Sequence, residues 1–159
     1  MIGVGAKVAK APGMPKLFTT MARHRGLFRA WLFFAGRMMP RGRLPRRDTE
    51  LIILRTAWLC HCEYELDHHR RIGATAGLSA ADIERATTDG LTDWDPRETA
   101  ILAAVDELHA GENLSEETWD ELRGHLSEQD AIEFLLPTGH YRMLATFINT
   151  LRIQVDASH

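Results

Sequence analysis

The chain has 159 residues, with 19 Lys and Arg set against 22 Asp and Glu, and a formal net charge of -3. That length defines one compact domain able to bury roughly 70% of its unfolded surface without disulfide or metal staples, and the charge balance excludes a nucleic-acid footprint spread over the whole chain. Two cysteines one residue apart do not form a secreted disulfide framework, so resting thiols in a reducing compartment are expected.

The opening MIGVGAKVAKAPGMPK lacks the apolar stretch and small-residue cleavage site of a secretory signal. The apolar run 30–36 is bounded by Arg29 and Arg37 and is too short to cross a bilayer. A cytoplasmic protein with no membrane and no nucleic-acid partner is therefore expected. Residues 1–40 read as a Pro- and Gly-containing leader and a first helix over 27–39, closed by Pro40 and Gly42. Residues 41–155 form the main body, one compact unit with that leader. The basic run Arg41, Arg43, Arg46 and Arg47 reads as a solvated helix entrance, since no glycine-rich loop or interleaved aromatic accompanies it.

Pro45 suits a first helical position, where a missing N–H costs nothing, and the helix it opens is expected to run to about Ala76 with Gly77 as its left-handed stop. Ser79 with Asp82 forms a capping-box pattern, and Asp95, Pro96 and Glu98 form a second. Ser115 and Ser127 are further caps, each followed by acidic residues that favour a helix N-terminus. A last long helix carries Ile132, Leu135, Leu136, Tyr141, Leu144, Phe147, Ile148 and Leu151, with Pro137 and Gly139 as candidate kinks. No period-2 strand, repeat or interdomain linker interrupts this pattern, which describes an all-α, single-domain helical bundle.

Chemistry concentrates in residues 50–69, ELIILRTAWLCHCEYELDHH, whose second half holds two cysteines, three histidines and three carboxylates. On one continuous helix, Cys62, Glu65 and His69 fall within about 60° of one another, whereas Cys60 lies about 160° from Cys62. His61 and His68 fall on a flank. Cys62, Glu65 and His69 are thus the candidate reactive face, and Cys60 is expected to be a packed thiol. An imidazole within reach can take a thiol's proton, and Glu65, four residues before His69, can orient the ring or exchange protons with it. A metal is the competing use of these residue types, but no paired CxxC or HExxH spacing is present; no cofactor is expected. His140 and Tyr141 on the last helix are candidates for the substrate-binding wall of the same pocket, with core packing as their alternative role.

The run GRLPRRDTELIILRTAWLCHCEYELDHHRRIGATAGLS resembles the carboxymuconolactone decarboxylase family, which also contains the alkyl hydroperoxidase D proteins. DWDPRETAILAAVDEL and the segment from LSEETWDEL onward are similar to the family's following helices. The resemblance implies an all-α fold of the alkyl hydroperoxidase D-like type, assembled as a homo-oligomer of dimers, trimers or hexamers, with the site near a subunit boundary. By the same resemblance Glu50 matches the glutamate of the peroxidase branch's proton relay, Cys62 its first cysteine and His69 its histidine. Glu65 stands where that branch has its second cysteine. A two-cysteine peroxidase cycle is therefore not expected. The leading expectation is a cofactor-independent acid–base lyase or decarboxylase acting on a small organic acid or lactone through Cys62, Glu65, His69 and Glu50. A thiol peroxidase using Cys62 with an external resolving thiol, and a noncatalytic ligand-binding oligomer, are the alternatives.

Overall fold

The computed structural model describes residues 13–156, which contain eight helices and no strand. They are α1 Lys16–Met21, α2 Arg25–Met38, α3 Arg46–Leu59, α4 Glu63–Thr75, α5 Ala80–Ala86, α6 Pro96–Gly111, α7 Glu116–His125 and α8 Glu128–Leu151. The leader's first twelve residues lie outside the described part; its remainder forms α1, an element that the sequence pattern does not announce.

The predicted caps hold. Ser79 and Asp82 form a reciprocal capping box, Asp95 accepts from the Glu98 amide with Pro96 in the first turn, and Ser115 and Ser127 cap α7 and α8. Gly77 takes the left-handed conformation, φ 92°, just beyond α4. Pro137 sits within α8 without ending it.

The expected single helix over 45–76 is two helices. The chain leaves α3 at Cys60, His61 adopts φ 50°, and Cys62 then caps α4. The His61 amide donates to Trp58 O and the Cys62 amide to Ala57 O, the paired bonds of a Schellman turn. Glycine normally occupies its left-handed position. Histidine tolerates that conformation better than most residues, and with no glycine or proline nearby the break leaves little mark in the sequence. The reversal folds α4 across α3.

Helix α3 is the centre of the molecule, packed by α4, α5, α6 and α8. Every residue from Asp48 to Ala57 is buried, which fits a helix whose apolar residues run all round its circumference. Leu51, Ile53 and Leu54 join Tyr64, Leu66, Leu144 and Ile148 in one apolar cluster, while Ile52 joins Ile101, Val105, Leu122 and Phe134 in another. A charge in such a helix must be paired. Asp48 meets Arg97 at 2.7 Å, and Arg55, 3% exposed, holds Asp106 while donating to Ala86 O and Thr88 O. Among the described residues no helix is long and apolar enough to cross a membrane.

Replacing Arg55 by Leu leaves Asp106 and two loop carbonyls without their donor. A loss of about 3 kcal/mol is expected, at the low end of the range for breaking a buried pair because Asp106 is partly solvated. Urea unfolding of the variant checks it, and a loss under about 0.5 kcal/mol contradicts the assignment.

Candidate active site

The reversal at residues 60–62 brings the start of α3 against the middle of α4. Glu50 Oε2 lies 2.7 Å from His69 Nδ1, and Glu65 Oε2 lies 3.3 Å from His69 Nε2. All three are buried, Glu50 to 0% exposure and Glu65 and His69 to 4% each. Arg46 Nη2 stands 2.8 Å from the second Glu50 oxygen, an i,i+4 pair on α3. The order is therefore Arg46, Glu50, His69, Glu65, with charges alternating along the row. Burial alone would lower the His69 imidazole; the Glu50 and Glu65 carboxylates outweigh it and hold it up at about 9.

Glu65 and His69 form one wall of a cavity of about 260 Å³. His140 and Tyr141 of α8 form the facing wall, with Trp31 and Met38 of α2, Phe18 of α1 and Ile72 of α4 completing an apolar surround. The rings interlock edge to face: His69 with Tyr141 at 5.2 Å, and Tyr141 with His140 at 5.4 Å between centroids. Trp31 stacks on His140 at 6.1 Å. Burial pushes the His140 imidazole down to about 4, against the opposing pull of Glu65. Among the described residues, Glu65 Oε1, His140 Nδ1 and Trp31 Nε1 are each buried without a hydrogen-bond partner, as is Glu50 Oε1 behind the wall, which has the Arg46 charge beside it. Tyr141 Oη meets only the Met39 thioether, at 3.6 Å.

The edge of this cavity is tied from both ends of the described chain. Asp156 accepts from the Lys16 amide at 3.0 Å and from Tyr64 Oη at 2.7 Å, and lies 2.9 Å from His68 Nε2. Tyr64 Oη in turn accepts from the Leu17 amide. Tyr64 and His68 both line the cavity, so one carboxylate holds α1 and two side chains of α4 in place.

Of the residues singled out in the sequence, Glu65, His69, His140 and Tyr141 meet in one cavity, and Glu50 backs His69. Cys62 is not among the residues lining the cavity, although its thiol lies beside the Glu65 and Tyr64 amides. It is 0% exposed at the N-cap of α4, and burial pushes its thiol up to about 11 against the partial pull of the Glu65 and Tyr64 amides. The turn replaces the continuous helix that the helical-phase argument assumed, yet as N-cap of α4 Cys62 still adjoins Glu65 three residues on. Cys60 is half-buried, 3.8 Å from His109 Nδ1, and both cysteines are free thiols. His61 is exposed in the turn, whereas His68, expected only on a polar flank, lines the cavity. Arg46, read as part of a solvated entrance, is an anchor of Glu50; its i,i+4 spacing from Glu50 was the available signal. Trp31 and Asp156 were missed because only long-range packing brings them in.

The model of the Carboxymuconolactone decarboxylase family matches residues 25–107. No curated protein matches the chain. Among solved structures, the chain is similar to an uncharacterized peroxidase-related protein from Silicibacter sp. TM1040, with a TM-score of 0.84 and 16% identity over 96% of this chain and 82% of that one. It is also similar to an uncharacterized peroxidase-related protein from Ralstonia eutropha JMP134, an alkylhydroperoxidase AhpD core, with a TM-score of 0.80 and 23% identity over 92% and 80% of the two chains. A protein of unknown function from Agrobacterium tumefaciens, a putative antioxidant defence protein AhpD, gives a TM-score of 0.76 and 21% identity over 83% and 92%. At these identities the likeness shows the shared all-α fold.

Because the His69 imidazole is raised from 6.5 to about 9 on folding, its contribution is complete below pH 6.5 and disappears as pH rises through 9. That contribution is on the order of 3 kcal/mol. Denaturant unfolding of the wild type and His69→Gln across this range measures it: the stability difference shrinks with rising pH, and a constant difference contradicts a charged His69.

Proposed function

Because this chain belongs to the carboxymuconolactone decarboxylase family, we propose that it is a cofactor-independent acid–base enzyme of the lyase or decarboxylase type acting on a small carbonyl compound, a lactone or related acid. The observation that carries this reading is the Glu50–His69–Glu65 row, with Glu65 Oε1 left without a partner at the wall of a cavity. In this reading Glu65 exchanges a proton with the substrate carbon next to the carbonyl, its unpartnered oxygen being the atom free to do so. His69, held as the imidazolium between two carboxylates, fixes the orientation of Glu65 and offsets charge as the proton moves. Glu50 and Arg46 hold the ring from behind. His140 and Tyr141 supply the opposite, substrate-facing wall. An enolate formed by proton removal is reprotonated by the same carboxyl group, and one formed by loss of carbon dioxide takes a proton that the His69 imidazolium delivers through Glu65.

The thiol contributes less to this reading. A nucleophilic cysteine needs a thiolate and access, whereas Cys62 is enclosed and its thiol is raised to about 11. The position three residues on is a glutamate, so no second thiol follows it on α4. Cys62 is accordingly a supporting residue at the α4 N-terminus.

A cytoplasmic homo-oligomer completes the proposal. Helices α2 and α8 expose large apolar side chains, including Phe33 at 70%, Leu27 at 63%, Ile132 at 54% and Met143 at 51%. Apolar side chains exposed together on neighbouring helices mark an association face. Phe33→Glu is expected to lower the assembled mass measured by light scattering, and an unchanged mass removes α2 from the interface.

The acid–base reading predicts solvent deuterium incorporation next to the carbonyl of small ketones and lactones incubated with the protein, followed by NMR. Glu65→Gln is expected to slow it by about 10²–10⁴-fold, while Cys62→Ser retains most of it. Exchange that is unaffected by Glu65→Gln, or that depends wholly on Cys62, sinks the proposal.

A further inference from the structure

The cavity has no built-in receptor for a negative charge. Among its described lining residues there is no lysine and no arginine. Arg46, the nearest cation of the row, is taken by Glu50 on the far side of His69. His69 is itself matched by two carboxylates, one of which belongs to the wall. Of the two other lining imidazoles, His68 is lowered by burial and already engaged by Asp156, and His140 is pushed down to about 4 by burial and is neutral near pH 7, so it offers one N–H and one lone pair. A carboxylate entering this space would lose its hydration and find a like charge instead of a partner, which is among the costliest forms of burial.

What the wall does offer is neutral hydrogen bonding. Glu65 Oε1 is an acceptor without a donor, Trp31 Nε1 is a donor without an acceptor, and His140 Nδ1 has no partner. His140 is 6% exposed, and all three residues line the same cavity. Unsatisfied buried polar atoms are rare in native proteins and call for a partner. One ligand carrying both a donor and an acceptor satisfies them together. An engineered cavity of about 150 Å³ accommodates benzene; by that scale a space of about 260 Å³ suits a ligand of roughly ten heavy atoms, and its surround of Trp31, Phe18, Met38 and Ile72 suits a flat apolar body.

We propose that this cavity selects uncharged hydroxy-carbonyl or enolisable carbonyl compounds over carboxylates, and that His140 binds the ligand's carbonyl oxygen across from Glu65. The inference deepens the acid–base reading and rests on it for the reaction, narrowing the substrate class from acids and lactones to neutral carbonyl compounds and the chemistry from decarboxylation to proton transfer next to a carbonyl. In this arrangement the ligand hydroxyl or enol O–H donates to Glu65 Oε1, and the imidazole N–H of His140, with Trp31 beside it, donates to the carbonyl. His140 is thereby a specificity-determining residue.

The test uses the intact protein and three probes of matched size near pH 7.5: α-hydroxyacetophenone, phenylglyoxylate and ethylbenzene, with affinities from NMR titration. The hydroxyketone is expected to bind at least about tenfold more tightly than the carboxylate. His140→Phe, which keeps the ring and removes its polar atoms, is expected to weaken the hydroxyketone about tenfold while leaving ethylbenzene within about twofold. Retained ethylbenzene binding shows that the cavity survives the substitution; if it is lost, His140→Leu, which likewise removes the polar atoms, is expected to give the same hydroxyketone loss in a cavity that still takes ethylbenzene. Equal or tighter binding of phenylglyoxylate, an undiminished hydroxyketone affinity in His140→Phe, or no binding of the hydroxyketone overturns the inference. Deuterium exchange of the hydroxyketone in the same samples separates the two claims: preference without exchange sinks only the acid–base reading, and exchange with a preference for the carboxylate sinks only the selectivity.

Discussion

The buried carboxylate of Glu50 is the constraint around which the fold is arranged. It lies in the first turns of a helix enclosed on all sides, where an unpaired charge would cost more than most single packing interactions supply. Arg46 covers one of its oxygens from the same helix, and only a separate element can cover the other. His69 does so, and to bring it there the chain must reverse within three residues of α3 ending. The reversal, the position of α4 and the wall of the cavity all follow from satisfying one carboxylate. Glu65 completes the row by facing the opposite nitrogen of the same ring.

This row also explains how charge can be retained so deep in an apolar bundle. Each ionic group has a neighbour of opposite sign, so the row as a whole asks little of its surroundings, while the end that reaches the cavity keeps an oxygen uncommitted. A fully satisfied network would be inert scaffolding. The unfinished hydrogen bonding at Glu65, Trp31 and His140 converges on one cavity, and this distinguishes the candidate site from the structural pairs Asp48–Arg97 and Arg55–Asp106 on the same central helix.

Much of the architecture was legible in the residues. The caps at Ser79, Asp95, Ser115 and Ser127 are local signals that need only neighbouring amides, and they mark true helix starts. Glu65 and His69, four apart on one helix, were placed together by spacing alone; Glu50 came from the family resemblance. The break between Leu59 and Glu63 was not legible, because the pattern runs through it and a histidine does the work of a glycine. The phase that grouped Cys62 with Glu65 and His69 assumed an unbroken helix, whereas Cys62 sits at the N-cap of α4, beside the Glu65 amide. Helix α1 and the contacts of Asp156 depend on residues 47 to 140 positions apart, for which no local pattern exists.

The turn at His61 therefore acts as a phase lock between two helices. Each residue of an α-helix turns its side chains by about 100°, so one residue more or fewer at this corner would swing His69 off Glu50 and aim a different side of α4 at the cavity. Substitutions within the turn alter its strain and leave the phase alone; changes in its length alter the phase itself. A three-residue corner whose own side chains do not line the cavity thus decides which of the polar side chains on α4 face it and which remain surface.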